Sequence, residues 1–174
     1  MSILVSIITI AASGVLASVV AHRLNATKEH VFFMRRKVEE LYLALERYDR
    51  RLSAHFVGYY GVLKNEITYN DLLDLQNSRG KFNNDLDHSI ETSIMLVSVY
   101  FPELKQRLNS YIDARDAIHE ILADHKRAYK RGDIDGTRWV EPFHDSLLNL
   151  DHIAAELKEA ILSEAVALKS AKYL

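Results

Sequence analysis

Residues 31–63 read VFFMRRKVEELYLALERYDRRLSAHFVGYYGVL, and the spacing within this stretch decides the fold. Apolar side chains recur at alternating intervals of three and four, and charged residues fill many of the positions between them. This period is typical of an amphipathic α-helix, here about nine turns long. The stripe consists of Val31, Met34, Val38, Leu41, Leu45, Tyr48, Leu52, Phe56, Tyr59 and Leu63. It predicts a long helix that buries one face against other helices.

The middle of the chain predicts further helices. Residues 66–71, EITYND, predict a break after the first helix, with Thr68 or Asn70 as the N-cap of the segment that follows. Gly80 either interrupts that segment or bends it, because glycine is a poor helix former. The next apolar stripe consists of Phe82, Leu86, Ile90, Ile94 and Val97.

Pro102 and Pro142 each predict the start of a helix, because proline fits the first helical turn. Residues 132–136, GDIDG, predict a loop between these two helices. The stripe after Pro102 is Leu104, Leu108, Ile112, Ile118, Leu122 and Tyr129. The stripe after Pro142 is Phe143, Leu147, Leu150, Ala154, Leu157, Ile161 and Leu168. Four long helices with short connections predict an all-α antiparallel bundle, and the first and last also have the spacing for coiled-coil pairing between subunits.

Residues 2–21 contain no charged side chain and are mostly Ile, Leu, Val and Ala. A bilayer core about 30 Å thick needs roughly 20 such residues in a helix. The sequence therefore predicts a single transmembrane anchor over residues 1–24 and a helical-bundle domain over residues 25–174. The competing interpretation is a cleaved signal peptide, but that requires a basic residue before a shorter apolar run, and none is present here.

Basic residues follow the predicted span, whereas none precedes it. The positive-inside rule then places the amino terminus outside and the bundle in the cytoplasm. The chain has no cysteine, which fits a reducing compartment. Side chains this close to a bilayer would attract anionic lipid. The flanking basic residues are Arg23, Lys28, Arg35, Arg36 and Lys37.

Small residues recur four apart within the predicted span: Ser13 with Ala17, and Gly14 with Ser18. Such spacing lets two helices approach closely in lipid. The alternative is that these residues only fill a span of moderate hydrophobicity.

Arg115 lies near the centre of the apolar stripe that follows Pro102. A buried guanidinium without a partner is very costly, so Arg115 must pair with a carboxylate or lie at an interface. Asp49, at the edge of the first stripe, is one candidate partner. The alternative is that the guanidinium reaches water along its aliphatic stem.

Two Asp-x-x-His pairs, Asp85/His88 and Asp116/His119, have the spacing of half a two-metal bundle site. At about 100° per residue both aspartates point away from the apolar stripes, so the ligands would not converge. The loop at residues 132–136 lacks the closing glutamate of a calcium loop. Phosphate-loop and nucleophile motifs are absent from the sequence, and the net charge of −2 is not that of a nucleic-acid binder. We therefore expect no catalytic activity, cofactor, metal, nucleic acid or small-molecule substrate.

Three segments, at residues 35–42, 67–70 and 100–104, carry a resemblance that covers most of the chain in order. They read RRKVEELY, ITYN and YFPEL. They resemble segments of small uncharacterised bacterial proteins with one N-terminal span and a helical cytoplasmic domain. The resemblance implies a location in the bacterial inner membrane and supplies no catalytic residue.

These features predict a membrane-tethered helical interaction or scaffold module that acts through self-association or a protein partner. Confinement by the span would raise its effective concentration. The alternative function is a membrane-acting effector whose transmembrane helix oligomerises and perturbs the bilayer. In both cases membrane lipid is an expected partner.

Overall fold

The computed structural model of the chain describes the backbone of residues 2–78 and 82–170, with side chains for 21–77 and 88–169. Every regular element within these ranges is helical, which confirms the all-α prediction. The helices are α1 Ser2–Leu63, α2 Tyr69–Ser78, α3 Phe82–Tyr100, α4 Lys105–Lys130 and α5 Thr137–Ser170. A 3-10 turn at Pro102–Leu104 precedes α4. The short α2 thus joins four long helices.

The long helices form an antiparallel bundle in which α1 packs against α3 and α5, and α5 packs against α4. The directions follow from ring contacts between the helices. Phe33, midway along α1 and before most of its buried residues, meets Tyr100 at the end of α3, with ring centroids 5.6 Å apart. Phe56, late in α1, meets Phe143 near the start of α5 at 6.0 Å. Both neighbours of α1 therefore run opposite to it, as predicted.

The stripe predicted on α1 forms the centre of the core. Its residues are buried except for Met34 and Tyr59, which are partly buried against the same core. The stripes of α4 and α5 also face this core, and Tyr111 adds a fully buried ring that the sequence analysis did not include. Burial of one aliphatic core side chain contributes about 1.5–3 kcal/mol, so this shared core is the main source of stability.

The stripe predicted for α3 is wrong at Ile94, whose side chain is 42% exposed. The core position is taken by Ser93, which is fully buried and donates its hydroxyl to the Ser89 carbonyl at 3.1 Å. Because a serine can satisfy its hydroxyl within its own helix, it occupies a crowded helix contact at little cost. Gly80 and the side chains of Phe82 and Leu86 lie outside the described residues.

Pro102 does lie in a first turn, but Pro142 does not begin the last helix. Helix α5 begins at Thr137 because Asp135 caps it: the carboxylate accepts bonds from the Thr137 amide at 3.0 Å and from its hydroxyl at 2.8 Å. The added turn also packs Trp139 against the core. Capping and burial outweigh the single backbone hydrogen bond that an interior Pro142 cannot donate.

The start of α2 is fixed by reciprocal hydrogen bonds, which decide the N-cap in favour of Thr68. The Asp71 amide donates to the Thr68 hydroxyl oxygen at 3.2 Å, and the Thr68 amide donates to the Asp71 carboxylate at 2.8 Å. The Thr68 hydroxyl, which donates to the Asp71 carboxylate at 2.7 Å, and the Thr68 amide hold the pKa of Asp71 below its usual value. The arrangement is a capping box, which satisfies two amides that the helix itself leaves unpaired.

Replacing Thr68 by alanine is expected to lower the free energy of unfolding by about 1 kcal/mol, because the N-cap acceptor is lost. The effect should concentrate in α2, so its amides should exchange hydrogen with solvent faster than those of α4. Thr92→Ala is the matched control, since the Thr92 hydroxyl only donates to the His88 carbonyl within α3. Equal exchange in α2 of the two variants would contradict this role for Thr68.

In the part of the chain that the structure describes, no helix combines the length and apolar character needed to cross a membrane. The backbone of residues 2–21 is helical and continuous with the rest of α1. The side chains of residues 2–20, including Ser13, Gly14, Ala17 and Ser18, lie outside the described set. The anchor, its orientation and its packing residues therefore stay predictions.

Candidate interaction surface

Asp49 lies at the centre of a polar network between α1, α4 and α5. Its Oδ1 accepts a hydrogen bond from the Tyr111 hydroxyl at 3.0 Å, and its Oδ2 accepts one from Lys158 Nζ at 2.6 Å. The same ammonium lies 2.8 Å from Glu46 Oε2. The Asp49 and Lys158 side chains are each about one-fifth exposed, so this contact is only partly screened by water. Lys158 therefore links two carboxylates of α1 to α5.

The charges of this network stabilise one another. Burial lowers the pKa of Lys158, but its hydrogen bonds to Asp49 and Glu46 raise that pKa by more. The hydrogen bond from Lys158 holds the pKa of Glu46 below its usual value. Desolvation, together with the neighbouring Asp49 carboxylate, strongly raises the pKa of Tyr111, which keeps its hydroxyl a donor. These bonds hold α1, α4 and α5 together.

Arg115 also lies inside the bundle contact, but with partners other than Asp49. Its NH1 donates to the Tyr48 hydroxyl at 3.0 Å and its Nε donates to Asp116 Oδ1 at 2.8 Å. Tyr111, one helical turn before Arg115, donates its hydroxyl to Asp49 instead. The Tyr111 ring packs against Tyr48 with centroids 6.1 Å apart. Asp49 and Arg115 were predicted from the sequence as polar residues of this region, but Lys158 was not. Its position beside Leu157 and near Ile161 of the α5 stripe was the available signal.

A second cluster combines three histidines with aromatic rings, and the sequence analysis missed it. His125 is fully buried in α4, with its ring 4.9 Å from Trp139 and stacked on Tyr69 of α2 at 5.6 Å. The Tyr69 hydroxyl lies 3.0 Å from His125 Nδ1, within hydrogen-bonding distance. Among the described residues, Nε2 of His125 has no hydrogen-bond partner. The cluster attaches α2 to α4 and α5.

The other two histidines lie closer to α1. His55 packs against Tyr59, with centroids 4.9 Å apart, and lies 6.3 Å from His119 of α4. The Gln76 side chain of α2 approaches His55 Nδ1 at 3.4 Å. Burial lowers the pKa of His55 and His125, because a charged imidazole loses its hydration there.

We expect the protein to lose stability as the pH falls below 6.5, the ordinary pKa of histidine. The unfolded chain binds protons at these imidazoles near that pH, whereas the folded chain binds them only at lower pH. Stability present above pH 6.5 is therefore lost as the pH falls through the folded pKa values. Melting temperatures between about pH 7.5 and about pH 5.5 measure this loss. His125→Asn keeps a polar partner for Tyr69 but does not titrate, so its melting temperature should fall less over the same range.

A groove of about 220 Å³ runs between the end of α1 and α2. The two helices approach closely because Gly58 has no side chain: a Cβ there would lie 2.6 Å from Leu72 Cδ1. Val57 and Leu75 line the groove and are largely exposed, and His55 with Gln76 supplies polar groups. The groove has room for one or two apolar side chains.

Basic residues occupy the start of the described part of α1, below the bundle. Arg23, Lys28 and Arg36 are exposed and Arg35 is partly buried. Lys37 is occupied within the bundle: its Nζ lies 2.7 Å from Glu40 and close to the rings of Phe33 and Tyr100. Arg23 and Lys28 thus precede the first buried residue, Val31, whereas Arg35 and Arg36 follow it, and Lys37 helps to join α1 to α3.

Two helix faces expose apolar side chains away from the core. We call Leu43, Arg47, Arg50 and Val57 the α1 face, and Leu148, Ala155, Glu156, Glu159 and Leu162 the α5 face. Leu43 and Val57 are 54% and 72% exposed, and Leu148 and Leu162 are 56% and 51% exposed. On each face exposed apolar side chains thus alternate with exposed charged ones.

Comparison of the chain with protein-family models, curated proteins and solved structures gave no match. Its resemblance to small bacterial membrane proteins therefore stays a prediction. Across the described side chains, no group of three or more His, Cys, Asp or Glu is placed to hold a metal ion.

Proposed function

We propose that this protein is a membrane-tethered helical interaction module that acts through contacts between helices and not through catalysis. The observation that carries the proposal is the exposure of large apolar side chains on the α1 face and the α5 face. Leu43 and Leu162 are both more than half exposed on helices whose other sides form the core. Such side chains gain free energy when a second helix covers them.

The use of the polar groups supports the same function. Lys158 donates to both Asp49 and Glu46, and Arg115 donates to Tyr48 and Asp116. These charges hold helices together, so the described network serves the fold. The surface left for recognition combines exposed apolar side chains with exposed charged ones, a mixture that is common in non-obligate protein interfaces.

The N-terminal apolar segment supplies the tether in this proposal. A span over residues 2–21 would confine the bundle to two dimensions and raise the frequency with which faces meet. Arg23, Lys28 and Arg36, exposed just beyond it, would contact anionic headgroups. Because α1 is one continuous helix, it would hold the bundle at a fixed distance from the bilayer.

The test compares the full chain with a variant whose residues 2–21 are scrambled but equally apolar. Both should remain in the membrane fraction after alkaline washing and should associate equally, because only apolar length is required of a tether. Release of the unchanged chain into the supernatant would contradict the tether. Association lost on scrambling would favour a membrane-acting effector, which needs the particular span sequence.

The role of the faces is tested by Leu162→Lys, with Ser163→Lys as the matched control on the same helix. Association in mild detergent, measured by sedimentation, should weaken about tenfold or more in Leu162→Lys, because a desolvated ammonium costs more than the apolar contact contributes. Ser163→Lys should associate like the unchanged chain. Equal behaviour of the two variants would contradict the proposal.

A further inference from the structure

We infer that the α5 face binds the α1 face of a second copy of this chain, with the two helices antiparallel. Leu43 then lies opposite Leu162, and Val57 lies opposite Leu148. This inference rests on the proposed function and names the partner. It follows from spacing, charge and register, which are independent of one another.

The exposed apolar residues Leu43 and Val57 of α1 have the same spacing as Leu148 and Leu162 of α5, and Val166 extends the apolar part of α5 by one further turn. Leu43 and Val57 are fourteen residues apart, and so are Leu148 and Leu162. Fourteen residues span about 21 Å of helix and complete nearly four turns, so both members of each pair return to one side of their helix. Fourteen residues are two heptads, and the seven-residue heptad is the repeat that helices use when they pair side by side.

The charges between these residues are opposite on the two faces. Arg47 and Arg50 lie between the apolar pair of α1, and Glu156 and Glu159 lie between the apolar pair of α5. All four are exposed. In the antiparallel pairing Arg47 comes level with Glu159, and Arg50 comes level with Glu156. Arg50 lies seven residues from both Leu43 and Val57, so it occupies the middle of the seam, and Arg47 lies beside it. Opposite charges across a helix pair set partner choice and orientation.

The same charges disfavour the symmetric alternatives. Two α1 faces would bring arginines together, and two α5 faces would bring glutamates together. Like charges in close contact are destabilising. A contact between unlike faces is therefore favoured over pairing of like faces.

The register is already present within one molecule. In the bundle Lys158 of α5 lies level with Glu46 and Asp49 of α1, and His144 lies level with Tyr60. At that register residue 43 is level with residue 162, and residue 57 with residue 148. Two copies that stand at the same height on a membrane thus present matching faces without any vertical shift.

This contact uses a different face on each copy, so every copy keeps one face for a further neighbour. Such heterologous contacts close into rings or extend as open arrays. The tether restricts the copies to side-by-side growth in the membrane plane.

The test uses cysteine cross-linking of the full chain in membranes, which is clean because the chain has no native cysteine. Leu43→Cys and Leu162→Cys, placed in separately tagged copies that are expressed together, should form a mixed disulfide on mild oxidation. Val57→Cys with Leu148→Cys should do the same. Leu43→Cys with Leu148→Cys is the mismatched control; its cysteines would be about 21 Å apart, beyond the reach of a disulfide.

Exchanging the charges of the two faces tests their pairing in the same cross-linking assay. Arg47→Glu with Arg50→Glu in the Leu43→Cys copy should reduce the mixed disulfide about tenfold or more, by loss of charge pairing. Glu156→Arg with Glu159→Arg in the Leu162→Cys copy should restore it. Failure of this restoration would contradict the proposed orientation.

Three outcomes would overturn the inference: equal yields in matched and mismatched pairs, a dominant disulfide of Leu43→Cys with itself, or absence of both matched disulfides. The proposed function is judged separately by sedimentation. If Leu162→Lys weakens association while the matched disulfides are absent, the partner is another chain and only this inference falls. If Leu162→Lys behaves like Ser163→Lys and the disulfides are also absent, both fall.

Discussion

Gly136→Ala should lower the free energy of unfolding by about 3 kcal/mol, at the upper end of the cost of overpacking. A Cβ at this position would lie 2.3 Å from the Leu63 carbonyl oxygen and 2.7 Å from the Leu63 Cα. These are backbone atoms at the end of α1, so no rotamer change can relieve the clash. The start of α5 would have to move away from α1. The melting temperature of the detergent-solubilised full chain, measured by circular dichroism, should fall by about 6–12 °C.

Gly132→Asn in the same loop is the control for this prediction. Gly132 has a φ of +91° and no atom near the position of an added Cβ. Asparagine is among the residues that tolerate positive φ, so this variant should lose little stability. A Gly136→Ala variant that melts no lower than Gly132→Asn would show that the contact with Leu63 does not constrain the fold.

Lys158→Met is expected to destabilise the protein by about 1.5–3 kcal/mol, the usual range for hydrogen bonds that involve charged groups. Methionine keeps the aliphatic packing but leaves Asp49 and Glu46 without their shared counter-charge. Combined with Asp49→Asn, it should show a coupling energy of about 1–2 kcal/mol in a double-mutant cycle, because the two groups are in direct contact. Chemical denaturation of the four proteins measures the cycle.

The same design separates the partner found in the structure from the one suggested by sequence. Asp49→Asn combined with Arg115→Leu should show a smaller coupling energy, because Arg115 donates to Tyr48 and Asp116 and is joined to Asp49 only through the packed rings of Tyr48 and Tyr111. A coupling between Asp49 and Arg115 as large as that between Asp49 and Lys158 would contradict the bonding described here. Arg115→Leu alone should lower stability, since Tyr48 and Asp116 lose a charged donor.

The tether and the two faces depend on each other in the proposed assembly. Antiparallel pairing of α1 with α5 fixes the relative heights of neighbouring copies, and a shared membrane would fix the same heights independently. Because the two registers agree, neighbouring copies pair without tilting or sliding against one another, which would cost free energy. Binding at either face would therefore be strengthened by confinement without any new contact.

The helical pattern is determined by local sequence. The α1 stripe from Val31 to Leu63 was predicted residue by residue, because a 3–4 spacing of apolar side chains has only one regular solution. Thr68, proposed together with Asn70, is the N-cap of α2, since its bonds involve residues three positions away. The loop at residues 132–136 was predicted for the same reason, because glycine and aspartate disfavour helix locally.

The predictions that were wrong or incomplete concern residues whose surroundings are set by neighbours distant in the chain. Ser93 is buried in place of Ile94 and bonds its hydroxyl within its own helix, and a pattern of apolar residues does not identify a buried serine. Pro142 is tolerated inside α5 because Asp135 caps the helix earlier and Trp139 has a core to pack against. His125 has an unremarkable sequence context, yet three helices enclose it.

By itself the sequence determined that the chain is helical, which face of each long helix is apolar, and that residues 2–21 could form an anchor. These properties follow from periodicity and from side-chain chemistry within a few turns. Only the tertiary structure decided that Asp49 bonds to Lys158 and Tyr111, and that the α1 and α5 faces share one register. Such contacts join residues separated by as many as 109 positions, so their partners are selected by the packing of whole helices.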